Sequence, residues 1–245
     1  MCRLLGFVST EEHSIAEIAG ADFKTFSALS EKHGDGWGVA SIDNHNHTNL
    51  VVEPTRAKDS SKFADVTTNL KSDGALLHLR WATQGLQINE GNSHPFTFGD
   101  ISFMHNGDIK PATSLDPYVD PELKSAMRGD TDSERYFYSI ISASKKSDLI
   151  QGTLDAVRNI KNNLSYSSIN AMILTPEKYL VVCEHNNDRI PAGEGPDYYE
   201  LYYRKDEKGL LVSSTGWNQT GWTLIPNHTL AVIDRNNLGV EPITL

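Results

Sequence analysis

The sequence predicts an α+β domain built in layers. Two runs of strand-like segments flank a central pair of helical patterns, which suits segregated layers rather than alternating βαβ units. The 245 residues are 38% hydrophobic and 22% charged, enough for a globular protein with a sizeable core. No linker, internal repeat or low-complexity stretch divides them, so residues 2–245 read as a single domain.

In chain order, residues 2–9 read as a strand. Ser14-Ile15-Ala16-Glu17 matches a capping box. Phe23, Phe26 and Leu29 follow at helical spacing, until His33-Gly34-Asp35-Gly36 ends the helix with turn residues. Residues 37–42 and 50–53 form a hairpin around the polar loop 43–47. A helix covers 60–70. Residues 75–81 are an apolar run bounded by Asp73-Gly74, hence a buried strand. Residues 84–95 read as a long loop, and 101–104 as a strand ending at His105-Asn106-Gly107. Residues 109–129, rich in Pro and Asp, read as irregular.

Thr131-Asp132-Ser133-Glu134 is a second capping box, and its helix carries Tyr136, Phe137, Ile140 and Ile141 on one face. A further helix over 149–164 turns Leu154, Val157 and Ile160 inward. Strands follow at 169–174, 179–184, 198–204, 210–213 and 230–233. Tyr198, Tyr199, Tyr202 and Tyr203 fall on one of them and read as sheet packing.

Composition excludes several functions. The net charge is −10 with scattered Lys and Arg, which speaks against nucleic acid as a partner. Cys2 and Cys183 are the two cysteines; they make neither a disulfide framework nor a zinc motif, so no metal is expected and a reducing cytoplasm is. No apolar run approaches the ~20 residues that span a bilayer, and no signal-peptide pattern opens the chain.

Chemistry enters at Cys2. Once Met1 is removed, one residue carries both a thiol and an α-amine, with ordinary pKa values near 8.5 and about 7.7–8.0. That is a nucleophile with its own base. Three further segments place polar residues at strand or helix ends. Arg80, after a buried strand, suits either a structural ion pair or a bidentate carboxylate ligand. Asn106-Gly107 reads either as a tight hairpin turn or as a pair of donors to an oxyanion. Asp132 at a helix start is either a dipole partner or a ligand for an ammonium group. Taken together, Arg80 for an α-carboxylate, Asp132 for an α-ammonium and Cys2 facing a carbonyl describe a pocket for a γ-glutamyl group.

With those residues in view, the chain resembles a class II glutamine amidotransferase domain of the N-terminal nucleophile hydrolase superfamily. The motifs occur in the family's order: Met1-Cys2 followed by Gly6, Gly36-Trp37-Gly38, Arg80-Trp81-Ala82-Thr83, Asn92-Ser93-His94-Pro95-Phe96, His105-Asn106-Gly107 and Thr131-Asp132-Ser133-Glu134. The resemblance implies a four-layer αββα sandwich of two antiparallel sheets. It implies Cys2 as nucleophile in a form lacking Met1, Asn106 and Gly107 as the oxyanion hole, and Arg80 and Asp132 as anchors of the amino-acid end. Trp81 and Thr83 would shape the pocket; His94, His105, Gly36 and Trp37 would support it. No cofactor is implied.

Gln84 stands where many members with fused synthase domains carry histidine. The chain instead resembles the stand-alone branch, with its ergothioneine-pathway and glutathione-degrading γ-glutamyl hydrolases. The function expected is hydrolysis of glutamine or a γ-glutamyl compound through a thioester. The alternatives are a glutaminase subunit serving a separate synthase partner, and a non-catalytic sensing or scaffold module; a homo-oligomer is compatible with each. Gly193-Glu194-Gly195-Pro196 reads as a lid or interface loop. Trp217 and Trp222 lie in a polar loop that suits an acceptor or partner surface, and Cys183 reads as an inert core thiol.

Overall fold

Alternation along the strands sorts the apolar residues into three layers of core. The computed structural model describes residues 2–83 and 85–245. The expectations about Met1 removal and Gln84 lie outside these residues. In chain order the elements are β1 (Arg3–His13), α1 (Ile15–Ala19), α2 (Ala21–Ala28), β2 (Trp37–Ile42), β3 (Thr48–Glu53), α3 (Ser61–Asn69) and β4 (Ser72–Leu79). Then come β5 (Phe96–Phe98), β6 (Ile101–Lys110), α4 (Pro121–Lys124), α5 (Asp132–Ser144), α6 (Leu149–Asn163), β7 (Ser165–Leu174) and β8 (Lys178–Cys183). The chain closes with β9 (Leu201–Lys205), β10 (Leu210–Ser214), β11 (Thr223–Ile225), β12 (Thr229–Asp234) and β13 (Val240–Thr244).

One sheet runs β11-β9-β10-β1-β4-β2-β3 and the other β13-β12-β8-β7-β6-β5; neighbours pair antiparallel, as in β1 with β4 and β6 with β7. Period-two alternation sends adjacent residues to opposite faces. Leu5, Phe7 and Leu77 meet Ile15, Ile18, Phe26 and Phe63 of α1–α3 on the outside of the first sheet. Leu4, Leu76, Met104, Met172 and Tyr179 fill the space between the sheets. Phe103, Ile169 and Ile173 meet Phe137, Ile140, Val157 and Ile160 of α5 and α6 on the far side. This is the four-layer αββα sandwich of the expected class. Cys183 is fully buried in the middle layer, where burial pushes its thiol up to about 12.

Several local expectations are corrected. The first helix breaks at Gly20 into α1 and α2, although the Ser14–Glu17 capping box forms in full. The second box is half made. Thr131 accepts from the Glu134 N–H, but the Glu134 carboxylate turns back to the N–H groups of Arg128 (2.7 Å) and Gly129 (2.8 Å). Asn106-Gly107 is not a hairpin turn: β6 continues through it to Lys110, held by pairing with β7. Residues 109–129 are accordingly less irregular than expected, with the end of β6, a 3₁₀ segment (Ala112–Tyr118) and α4. Tyr198 and Tyr199 precede β9 instead of lying on it. Three short edge strands, β5, β11 and β13, have no counterpart in the sequence reading.

Candidate active site

Strand pairing brings the scattered motifs together. Arg3 lies opposite Leu79 across the β1–β4 ladder, so Cys2 and Arg80 leave the first sheet side by side. Trp37 pairs with Leu79 from the other side. The Gly36 carbonyl accepts from the Arg80 N–H at 2.8 Å, the Arg80 carbonyl accepts from the Asp35 N–H at 3.0 Å, and the Asp35 carboxylate accepts from the Ala82 N–H at 2.9 Å. Residues 80–82 are thus fixed on both flanks. The Cys2 thiol donates to the Trp81 carbonyl at 3.8 Å. The second sheet supplies the opposite wall through Gly107 of β6, and α5 supplies Asp132 and Ser133. Cys2, Arg80, Thr83, Gly107 and Asp132 line one cavity of about 30 Å³, roughly the room of a water molecule.

Its electrostatics are those of two separated, unbalanced charges. Arg80 is only 3% exposed, and its guanidinium donates to the carbonyls of Asp35 (3.4 Å) and Gln87 (3.1 Å). Among the described residues it makes no ion pair, so the structural ion-pair alternative is not the one the fold adopts. Asp132 is 9% exposed and accepts from the Ile109 N–H at 2.7 Å, also without a cationic partner among those residues. Burial pushes its carboxyl up, opposed by His105 and the Ile109 N–H. Burial likewise pushes the Cys2 thiol up, with neighbouring Arg80 pulling it down.

Asn106 sits on β6 two residues after Met104, so it shares the face turned to the first sheet. It is fully buried, and neither polar atom of its side chain has a hydrogen-bond partner among the described residues. Buried amides are ordinarily satisfied. At Gly107, φ is +153°, and a Cβ there would stand 1.8 Å from the Ser168 carbonyl oxygen. Only glycine fits this crossing of β6 and β7.

The supporting residues divide by role. His105 bridges three elements: Nε2 lies 3.1 Å from the Ser168 carbonyl and Nδ1 2.9 Å from the Ser133 hydroxyl. A carbonyl only accepts, so Nε2 carries the proton and Nδ1 accepts from Ser133. Burial holds this imidazole below its ordinary range, although nearby Asp132 pulls the other way. His94 is buried, stacked on His78 at 4.3 Å, and lines the cavity. Trp37 is fully buried against Phe63 in the outer helix layer and does not reach the cavity. Trp81 lines the cavity, and Thr83 stands exposed at its mouth.

Four residues were missed as contributors. Asp35 was read as turn punctuation and Glu134 as a cap partner. Ser133 carried no signal beyond the motif. Asn92 joins two loops, accepting from the Asp130 N–H (3.0 Å) and donating to the Gln87 carbonyl (3.3 Å). The 193–196 loop is tied down: Glu194 pairs with Lys32, whose ammonium lies 4.9 Å from the Trp81 ring centroid. Trp217 and Trp222 pack edge to face at 5.3 Å, and the Trp222 indole donates to Asp22 of α2. Trp222 thus anchors the loop to a helix, while Trp217 is half-buried and lines a surface cavity with Asn218 and Thr220.

Comparison with known proteins identifies the family. The model of the family described as "Glutamine amidotransferases class-II" matches residues 1–190. The chain belongs to this family. Class II glutamine amidotransferases are enzymes, which sets the non-catalytic alternative aside. One relative, the glutamine–fructose-6-phosphate aminotransferase of Acinetobacter baylyi, is 29% identical over 215 residues, which cover 86% of this chain and 32% of that protein. The chain therefore spans about a third of the length of that relative. The γ-glutamyl-hercynylcysteine sulfoxide hydrolase of Mycolicibacterium smegmatis is 25% identical over 256 residues, covering 99% of this chain and 100% of that one. The solved structure of a glutamine aminotransferase class-II domain protein from Silicibacter pomeroyi superposes with a TM-score of 0.70 at 17% identity, over 99% of both chains, and shows the same fold. Among the described residues, no helix is long and apolar enough to cross a membrane.

Proposed function

We propose that this amidotransferase hydrolyses the γ-amide of glutamine or a γ-glutamyl compound through a thioester on Cys2. One observation carries the reading: a buried arginine and a buried aspartate, neither with an ion-pair partner among the described residues, flank a cysteine in a single cavity. A zwitterionic amino-acid end neutralises both. Arg80 takes the α-carboxylate in a bidentate grip, and Asp132 takes the α-ammonium. The γ-carbonyl is then held facing Cys2.

After Met1 is removed, the Cys2 α-amine accepts the thiol proton as sulfur attacks the carbonyl carbon. The Asn106 side-chain amide and the Gly107 N–H donate to the oxyanion, and the unpartnered state of Asn106 leaves it free to do so. The ammonium returns its proton to the departing amine as the C–N bond breaks. Water, deprotonated by the same amine, cleaves the thioester and releases glutamate. In binding the substrate carboxylate, Arg80 exchanges the Gln87 carbonyl for it. The site of action proposed is the cytoplasm.

The test is glutamate release by Cys2→Ala, expected to fall by at least about 10³-fold with the fold intact. Intact mass of the active protein should start at Cys2. Full activity in the variant, or rapid turnover by protein that retains Met1, would overturn the mechanism. A second reading follows from the aminotransferase relative, whose name couples glutamine to a second substrate: ammonia passes to a synthase on a separate chain. Glutaminase turnover that rises sharply with a co-purifying protein would favour it.

A further inference from the structure

A buried cation stands one residue from the nucleophile, and the mechanism above makes no use of it. Arg3 opens β1 directly after Cys2 and is 4% exposed. Among the described residues it makes no ion pair, and its Nε has no hydrogen-bond partner; Nη1 donates to the Tyr198 carbonyl at 3.2 Å. The guanidinium is held firmly. It lies over the Tyr198 ring, 4.5 Å from the centroid. Gly216 packs so close that a Cβ there would stand 2.9 Å from Nε and 3.2 Å from the guanidinium carbon. The Tyr198 carbonyl is itself fixed by the Thr215 hydroxyl at 3.0 Å.

We propose that Arg3 acts through Cys2: its fixed positive charge favours the neutral form of the Cys2 α-amine, which is the form that serves as base. The proposal rests on the thioester reading above and adds to it a residue that works only through the amine.

Cost is the first argument. A buried ion without a counter-ion is expensive. An uncharged amide could donate to the Tyr198 carbonyl just as well. What the arginine alone supplies there is a charge that is never lost by titration.

Persistence is the second. Arg80 and Asp132 act on the Cys2 thiol from the cavity. Glu194, Asp197 and Tyr198 face Arg3 from the 194–198 loop. Glu194 is already paired with Lys32, and Asp197 is exposed to water. Burial pushes the Tyr198 hydroxyl up to about 12, so it stays neutral and offers Arg3 no countercharge. Substrate then changes the balance inside the cavity. Its α-carboxylate neutralises Arg80, and its α-ammonium neutralises Asp132. Arg3 is the buried charge that stays uncompensated beside the nucleophile.

That charge suits the base. An α-amine ordinarily titrates near 7.7–8.0, so at neutral pH most of it is ammonium and cannot accept the thiol proton. A neighbouring fixed cation disfavours the ammonium. Arg80 cannot fill this role throughout, because substrate cancels it. Arg3 exerts the same field in the free enzyme and in the complex.

The test reads the amine directly. The chain has two cysteines, Cys2 and Cys183, so processed full-length protein labelled with nitrogen-15 cysteine gives two nitrogen signals in an NMR titration. One is the Cys2 α-amine. The other is the amide of Cys183, which is fully buried and reports that the fold is intact. We expect the parent amine to titrate below about 7.7. Arg3→Gln, which keeps a donor for the Tyr198 carbonyl, should raise the midpoint by roughly 0.5–1 pH unit. On the acid limb this lowers kcat/KM for glutamine about 3–10-fold, with the alkaline plateau retained. Arg3→Lys keeps the charge and should titrate with the parent. Glu194→Gln removes a carboxylate that faces Arg3 and should move the midpoint down; it decides the matter where Arg3→Gln does not fold. An unmoved midpoint in Arg3→Gln, or in Glu194→Gln where that variant alone folds, would overturn the proposal and leave the thioester reading standing, because the titration needs no substrate. A processed parent that releases no glutamate would overturn both.

Discussion

Replacing Asp132 with asparagine separates charge from shape. The carboxylate accepts from the Ile109 N–H at 2.7 Å, and an asparagine oxygen can keep that bond. The substitution also removes a negative charge that is 9% exposed and that burial disfavours. A buried charge without a counter-ion is costly, so its neutral isostere should leave stability within about 1 kcal/mol of the parent. For a chain of this size that is a shift in Tm of about 2–4 °C at most. A substrate ammonium, however, loses its countercharge in a dry pocket. Truncating one side of a buried charge pair costs about 2–5 kcal/mol, which is roughly 30-fold to several-thousand-fold in kcat/KM. The assay is glutamate release from glutamine at concentrations below KM, alongside a thermal melt. Activity within about threefold of the parent, with Tm lowered by more than the stated range, would show that Asp132 only starts a helix. The γ-glutamyl pocket would then lose one of its two anchors.

Two further outcomes are expected. Gly107→Ala should depress both Tm and turnover, the latter by more than about 10²-fold, because its Cβ would sit 1.8 Å from the Ser168 oxygen and 2.4 Å from its carbonyl carbon; parent-like values of both would refute the crossing argument. Stability should fall with acid below about pH 6.5, the ordinary histidine value. Burial holds His78, His94 and His105 below it, so the unfolded chain binds their protons first and stability rises with pH, by up to about 1.4 kcal/mol per unit for each. Asp132, whose carboxyl burial pushes up, works in the opposite sense and makes the slope shallower. A urea midpoint that stays flat between pH 7 and 5.5 would contradict this.

Much of the site was legible because its residues sit in short motifs at the ends of strongly apolar segments. Arg80 follows a buried strand, and Asp132 opens an amphipathic helix with a recognisable cap. Where the sequence misled, tertiary pairing overrode a local signal. Asn106-Gly107 has the composition of a hairpin turn, yet ten residues of β6 run through it because β7 is there to pair with. Tyr198 and Tyr199 have strand-like character, but Arg3 and Asn170 capture their carbonyls in a turn. Asn170 itself pairs with Asn106 across the ladder, a contact that no spacing rule foresees. The seat of Arg3 was illegible for a related reason: Tyr198 and Gly216, which hold its guanidinium, lie far along the chain, and only the sandwich brings them to it. The three missed edge strands are short, and one contains Pro242, which weakens the period-two pattern.

The two halves of the proposed chemistry ride on different sheets. Cys2 and Arg80 belong to the first; Asn106 and Gly107 belong to the second, and Asp132 to the helix packed on it. The spacing between these two plates is gauged near the middle of the sandwich, at Gly6, where a methyl group would meet the Tyr179 hydroxyl at 2.3 Å and Leu76 at 3.1 Å. Gly6 and Tyr179 act as a shim. A thicker residue there would wedge the plates apart and lengthen the path from sulfur to oxyanion donors, far from any contact with substrate. Misplacements of about 1 Å are enough to slow such reactions roughly a hundredfold. On the proposed mechanism, the rate is therefore written partly into the thickness of the core, and substitutions in that middle layer should change turnover as well as stability.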